Sequence, residues 1–226
     1  MRSILPVQFP IRSGRAGLCL ALLLASAVLF SAAAAARAQF GPPPTTQVHD
    51  PSALKPPAGA RVAIVEFEDL ECPDCGNANP VLKEAAEKYH IPWVRHDFPL
   101  PFHAWSFQAA VNARFFDTKN QKLGDDYRDA VFASQRSIET LDQLNQFTQK
   151  FAASHNVALP FALDPMGKLS QEVKADFALG QRIGIEHTPT IWIVTNAAHA
   201  APFVEVVDRT KLFQIIDAAM ADTRSH

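Results

Sequence analysis

The sequence predicts an α/β domain in which one mixed sheet carries helices on both faces. Three observations lead there. Two short runs rich in β-branched and aromatic residues, RVAIVEF at 61–67 and TIWIVT at 190–195, read as buried strands. Between them apolar residues recur three or four apart, the period of helices packed on a core. The elements follow the order β-α-β, a helical block, then β-β-α, which gives a parallel pair through the first crossover and an antiparallel hairpin at the end.

Each element has its own signal. Residues 61–67 form the first strand. A helix starts at the cysteine pair and runs to about Tyr89, with Val81, Leu82, Ala85, Ala86 and Tyr89 on its apolar side and a kink expected at Pro80. Residues 93–98 form the second strand. The helical block, about 99–185, shows three stripes: Ala104, Phe107, Val111 and Phe115; Leu141, Leu144, Phe147 and Phe151; Leu169, Val173 and Phe177. Core packing accounts for all three. Gly184 is placed to stop the last of these helices. Residues 190–195 and 203–207 form the third and fourth strands, and residues 211–221 a final helix with Leu212, Ile215, Ile216 and Ala219 inward.

The N-terminal segment lies outside this domain. Arg2, Arg12 and Arg15 precede an uncharged apolar run over 16–36, and Ala36-Arg37-Ala38 has the small-x-small pattern of a signal-peptidase site. Residues 1–38 therefore read as a signal peptide cleaved before Gln39. An uncleaved membrane anchor is the rival, because the run is about long enough to span a bilayer. Its high alanine content drives insertion weakly. Residues 39–60, with six prolines between 42 and 57, read as an extended linker or a strapped-down arm, and residues 61–222 as the domain. The full chain has a formal charge of −2; cleavage removes four arginines and no acid, which leaves 188 residues at −6. That balance argues against nucleic acid as a partner and shows no broad basic patch for a membrane surface.

After cleavage two cysteines remain, Cys72 and Cys75, spaced C-x-x-C. So short a loop makes a poor structural staple, because closing it removes little chain entropy. Chemistry explains it better. At the start of a helix, unpaired N–H groups and the macrodipole favour a thiolate at the first sulfur. Pro73 suits the first helical position, and Cys75 lies about one turn on, within pairing distance. An exposed first sulfur with a second tucked behind it supports two-step thiol–disulfide exchange. A zinc half-site is the competing reading. It lacks the further cysteines that would complete a site, so no metal is expected.

VEFEDLECPDC at 65–75, Pro80 in the following helix, FPLPFH at 98–103 leading into a helix and TPT at 188–190 occur in an order that resembles the DsbA-like branch of the thioredoxin superfamily, over roughly residues 61–222. The resemblance implies the thioredoxin fold with an inserted helical block. It makes Cys72 the nucleophile, Cys75 the resolving thiol and Pro189 a cis proline facing the sulfurs, with the backbone of Thr188 open to an extended substrate strand. It places Glu66 at the family's buried acid, where a raised pKa would let it relay a proton to or from Cys75; a salt-bridged strand-end residue is the alternative. His103 matches a family histidine, and a helix-start cap is an equal reading of it.

Two positions depart from the family pattern. His187 stands where glycine is common, which bears on the shape of the substrate groove. Pro73-Asp74 is not the Pro-His pair of the strongest oxidants. A carboxylate at Asp74 is a like charge beside the Cys72 thiolate and should raise its pKa, giving intermediate oxidising power; Glu71, read as solvated and screened, adds a weaker effect of the same sign, while a protonated His187 would act the other way. Pro73, Asp74 and His187 are thus the expected redox-tuning positions. The implied protein is a monomeric, periplasmic or otherwise extracytoplasmic oxidoreductase. Its intrinsic disulfide serves in place of a cofactor. Its partners would be unfolded or partly folded exported proteins and a membrane redox partner. A reductase or isomerase kept reduced by that membrane partner, and a non-catalytic binding module of the same fold, are the alternatives.

Overall fold

All seven residues of β1 (Val62–Glu68) are buried, because both faces of this central strand are covered. The computed structural model describes residues 45–198 and 201–223. The expected signal peptide, its cleavage point and residues 39–44 of the arm lie outside the described residues. After β1 come α1 (Pro73–Tyr89), β2 (Trp93–Asp97), α2 (Ser106–Asp117), α3 (Gln121–Ser134), α4 (Leu141–Ser154), α5 (Lys168–Ile183), β3 (Thr190–Thr195), β4 (Phe203–Glu205) and α6 (Leu212–Asp222). The sheet order is β2-β1-β3-β4. β1 and β2 are parallel, while β3 is antiparallel to both β1 and β4. The β-α-β … β-β-α order read from the sequence is therefore the observed one, with the helical block between β2 and β3.

The period of two along β1 divides its contacts. Val62 and Ile64 pack with Ala78, Leu82 and Ala85 of α1 and with Leu212 and Ile216 of α6. Ala63, Val65 and Phe67 face the other way, onto Trp192, Val194, Phe98, Ile183 and Ile185. Full burial of a side chain such as Phe67 contributes about 2 to 3 kcal/mol. By the same alternation Glu66 and Glu68 point to the α1 and α6 side, which puts two carboxylates under α1.

The helical block has a separate core of Trp105, Phe116, Tyr127, Val131, Leu144, Phe151, Leu169 and Val173, and this core includes Leu70, Cys72 and Cys75. The cysteines thus sit at the seam between sheet and block. Of the stripe residues expected in the core, Ala104 precedes α2 and is exposed, and two that do lie in helices are on the surface: Phe107 is 36% exposed and Leu141 45%. Each lies in the first turn of its helix, where the block's core gives no cover. α3 has no stripe in the sequence reading, since its inward side mixes Tyr127, Val131 and Phe132 with a buried Arg128.

Element ends follow local chemistry. Thr140 and Gln143 form a capping box at the start of α4. α5 stops at Gly184, whose φ of 103° suits glycine, and a Cβ there would meet the Gln47 carbonyl oxygen at 2.5 Å. Residues 45–60 pack along the domain. Thr46 donates through its N–H and its hydroxyl to the Glu205 carboxylate at 2.7 and 3.0 Å, the His49 N–H donates to the Ile183 carbonyl at 2.8 Å, and Leu54 is buried.

Candidate active site

Cys72 is the N-cap residue of α1, with Pro73 at the first helical position and Asp74 in the first turn. The chain enters α1 through Asp69, Leu70 and Glu71. The Cys72 N–H donates to the Asp69 carbonyl at 3.0 Å. The buried Asp69 carboxylate accepts from the backbone N–H groups of Glu71 and Leu100, each at 2.7 Å, and lies 2.7 Å from His103 Nδ1. Gln135, just after α3, donates from one amide nitrogen to the carbonyls of Leu70 and Cys72 at 2.9 and 3.0 Å. Sheet, β2–α2 loop and helical block therefore converge on one short turn.

The two cysteines are free thiols, Cys72 7% exposed and Cys75 fully buried. The expectation of an open first sulfur needs correcting. The segment before β3 folds over it, and the Cys72 thiol donates to the Thr188 carbonyl at 3.3 Å. The Thr188-Pro189 peptide bond is cis. That carbonyl, expected to be open to substrate, is engaged by Cys72 while its thiol is protonated. Behind Cys72, the Asp69 N–H donates to Cys75 Sγ at 3.4 Å.

The sulfurs differ in acidity. The Cys72 pKa is lowered to about 6, chiefly by the Cys75 thiol acting as a donor to it; the Thr188 hydroxyl and the backbone N–H groups of Cys75 and Asp74 act in the same direction, and burial acts against them. The Cys75 thiol is pushed well up, first by burial, then by the Cys72 sulfur and the nearby Glu66. One thiol is thus ionised near neutral pH while the other keeps its proton.

Glu66 is 1% exposed, and its Oε2 accepts from Trp93 Nε1 at 2.9 Å. Burial, with the Glu68 charge, raises its pKa to about 8. Glu66 is no strand-end ion pair. Arg95 lies opposite it in the parallel register, yet its guanidinium turns to Glu68 and binds that carboxylate through Nε and Nη2, at 3.0 and 2.8 Å. Glu68 also lies 3.5 Å from Arg128, which pairs with Asp117.

Three expected contributions at the rim look different in the structure. Asp74 is held by Arg209 through two hydrogen bonds of 2.6 and 2.8 Å, so its carboxylate is neutralised. The Arg209 hydrogen bonds lower the Asp74 pKa first of all, with a smaller contribution from His187. His187 is near Asp74, and its carbonyl accepts from the Thr190 hydroxyl at 2.7 Å. Glu71, expected to be solvated, accepts from the N–H groups of Trp105 and Ser106 at 2.7 and 3.0 Å and so caps α2. His103 contacts Asp69 and caps no helix. Pro73 is exposed and, with Glu71, Gly76, Trp105 and Gln135, lines a cleft of about 460 Å³ beside Cys72. Among the described residues no group of three or more His, Cys, Asp or Glu side chains is arranged to hold a metal, and no helix is long and apolar enough to cross a membrane.

Sequence reasoning passed over Trp93, Gln135 and Arg209. All three reach the site from distant parts of the chain and carry no local motif. Only the β1–β2 pairing hinted at Trp93.

Comparison with known proteins agrees with this architecture. Residues 58–209 match the family model described as thioredoxin. No curated protein matches the sequence. Among solved structures, alpha-DsbA1 of Wolbachia pipientis superposes with a TM-score of 0.60 at 19% identity, covering 80% of this chain and 95% of that one. ScsC of Proteus mirabilis, in a transitional conformation, gives 0.59 at 20% identity, with 92% and 95% covered. DsbA2 of Pseudomonas aeruginosa gives 0.53 at 23% identity, with 77% and 96% covered. At these identities the likeness establishes a shared fold.

Proposed function

Since the chain belongs to the thioredoxin family, we propose that it is a protein thiol–disulfide oxidoreductase working through Cys72 and Cys75, and that it acts as an oxidase of client proteins. The observation that carries this reading is the split acidity of the pair: a Cys72 thiol lowered to about 6 in front of a buried Cys75 thiol pushed well up. A stabilised Cys72 thiolate makes that sulfur the better leaving group and favours the reduced protein, which makes its disulfide an oxidant.

In the oxidised protein a client thiolate attacks Cys72 Sγ. The Cys72–Cys75 bond breaks, and its electron pair leaves on Cys75, which takes a proton. Glu66, protonated below about pH 8 and near enough to influence Cys75, is the acid assigned to supply it in this reading. A second client thiolate then attacks the client sulfur of the mixed disulfide, and Cys72 leaves as a thiolate. The client loses two electrons and gains a disulfide; the protein gains two electrons and becomes the dithiol. Thr188 and Pro189 lie over Cys72, where an extended client segment would pass. Proteins of similar fold include the thiol–disulfide exchange protein alpha-DsbA2 of Wolbachia pipientis and a periplasmic thioredoxin-like protein of Salmonella enterica. An extracytoplasmic site, exported clients and reoxidation by a membrane redox partner fit that company and the N-terminal signal pattern.

The test is transfer to a reduced, unfolded protein with two thiols. The oxidised protein should give the client one disulfide for each Cys72–Cys75 pair that becomes a dithiol. An oxidised protein that leaves such a client reduced, while the dithiol form reduces client disulfides, reverses the direction of the reaction. No transfer in either direction removes the function.

A further inference from the structure

We propose that Arg209 tunes the Cys72 site: by binding Asp74 through two parallel hydrogen bonds it cancels the carboxylate lying between the cysteines, and so keeps the reduced form stable enough for the pair to oxidise. The proposal rests on the reading of Cys72 and Cys75 as an exchange centre. It deepens that reading by naming a residue outside the C-x-x-C segment that sets its strength.

The placement of Arg209 is built into the fold. Val206, just past β4, donates its N–H to the Ile191 carbonyl and fixes this connection against β3. Asp208 then caps the turn Arg209–Lys211 by accepting from the Thr210 N–H and hydroxyl at 3.0 and 2.6 Å. The guanidinium that leaves this turn meets Asp74 fork to fork, Nη1 to Oδ2 at 2.8 Å and Nη2 to Oδ1 at 2.6 Å, across 135 residues of sequence.

As a staple the pair is weak, because the Asp74 side chain is 53% exposed and that of Arg209 34%. Its position matters more. Asp74 presents its own N–H to the Cys72 sulfur and carries its carboxylate on the same turn of helix. A free carboxylate there would compete with the thiolate for the helix N-terminus and repel it. With Arg209 bound, the only charge left beside the sulfur on this dipeptide is neutralised. The C-P-D-C segment then behaves as one with an uncharged residue before Cys75.

Exchange with glutathione measures the effect. Two glutathione thiols reduce the Cys72–Cys75 disulfide to two thiols and become one glutathione disulfide, so two electrons and two protons move to the protein. Arg209→Ala should raise the Cys72 pKa, read from thiolate absorbance against pH, by about half a unit; the matching change in the glutathione equilibrium is about threefold toward the protein disulfide, a weaker oxidant. Arg209→Lys keeps the charge and should recover more than half of both shifts. In an Asp74→Asn background, Arg209→Ala should move both readouts by less than half as much. Equal shifts in the two backgrounds, or no shift with Asp74 present, overturn the role of Arg209. A wild-type pair that does not exchange with glutathione at all refutes the exchange centre itself, whereas exchange that ignores Arg209 refutes only its tuning.

Discussion

Glu66 offers a quantitative handle on the site. It is 1% exposed, its single hydrogen-bond donor is Trp93 Nε1, and the nearest guanidinium is committed to Glu68. Its pKa is accordingly raised from 4.5 to about 8. The sign of the linkage is definite. Below pH 4.5 the carboxyl is protonated in both the folded and the unfolded chain and has no effect on stability. Between 4.5 and 8 the unfolded chain ionises while the folded one stays neutral, so stability falls as pH rises. Above 8 the loss is complete. Glu66→Gln keeps an acceptor for the Trp93 N–H and removes the titration. From these two pKa values, the stability of Glu66→Gln relative to the parent should rise by about 3 kcal/mol between pH 5 and pH 8. Urea unfolding of both reduced proteins at the two pH values gives the difference, and titrating groups other than Glu68 and Cys75, which sense the Glu66 charge, cancel in it. The same substitution should slow disulfide exchange at pH 7 by about a hundredfold if Glu66 serves Cys75 as acid and base. A relative stability that does not change with pH shows that the Glu66 carboxyl titrates normally, and the proton-relay reasoning then fails.

Three further outcomes follow from the geometry. Alkylation of Cys72 should show a midpoint near pH 6, and Cys75→Ala should move that midpoint upward because the Cys75 thiol is the largest stabiliser of the thiolate; since this pKa is depressed, the reduced protein should also gain stability over Cys72→Ser as pH rises from 6 to 9, and an unshifted midpoint in Cys75→Ala contradicts the assignment. Glu71→Ala removes the cap of α2 and should cost about 1 to 2 kcal/mol in chemical unfolding, while a loss below about 0.3 kcal/mol would place Glu71 in solvent. Gly184→Ala puts a Cβ at a φ of 103° and against the Gln47 carbonyl, so it should destabilise the domain by more than about 1 kcal/mol and expose the arm to proteolysis near Gln47; an unaltered cleavage pattern would show that the arm does not depend on this contact.

Local signals in the sequence located the backbone of this fold well. The run 190–195 coincides with β3, the residues 61–67 differ from β1 by one position at each end, and Gly184 ends α5. The C-x-x-C segment with Pro73 marks the start of α1 because a helix start has few chemical solutions. What escaped is long-range or polar. α3 was hidden because its inward face carries Arg128, which a periodicity of apolar residues skips. Asp74 was legible as a charge beside the thiolate, but its partner Arg209 comes from the far end of the chain. Glu71 looked solvated because the donors to its carboxylate, the N–H groups of Trp105 and Ser106, come within reach only once α2 is packed against the turn that carries Cys72. Phe107 and Leu141 kept a helical period that tertiary packing does not use.

The central claim is that Cys72 attacks and Cys75 resolves. Cys75→Ala removes the resolving thiol, so a disulfide-bonded client attacked by Cys72 should remain attached as a mixed disulfide. At pH 8, peptide mass spectrometry after non-reducing gel separation should find client peptides joined to Cys72, released by dithiothreitol, and Cys72→Ala should accumulate few such adducts. Equal adducts in the two variants, or none in Cys75→Ala, would contradict the assignment of roles to the pair.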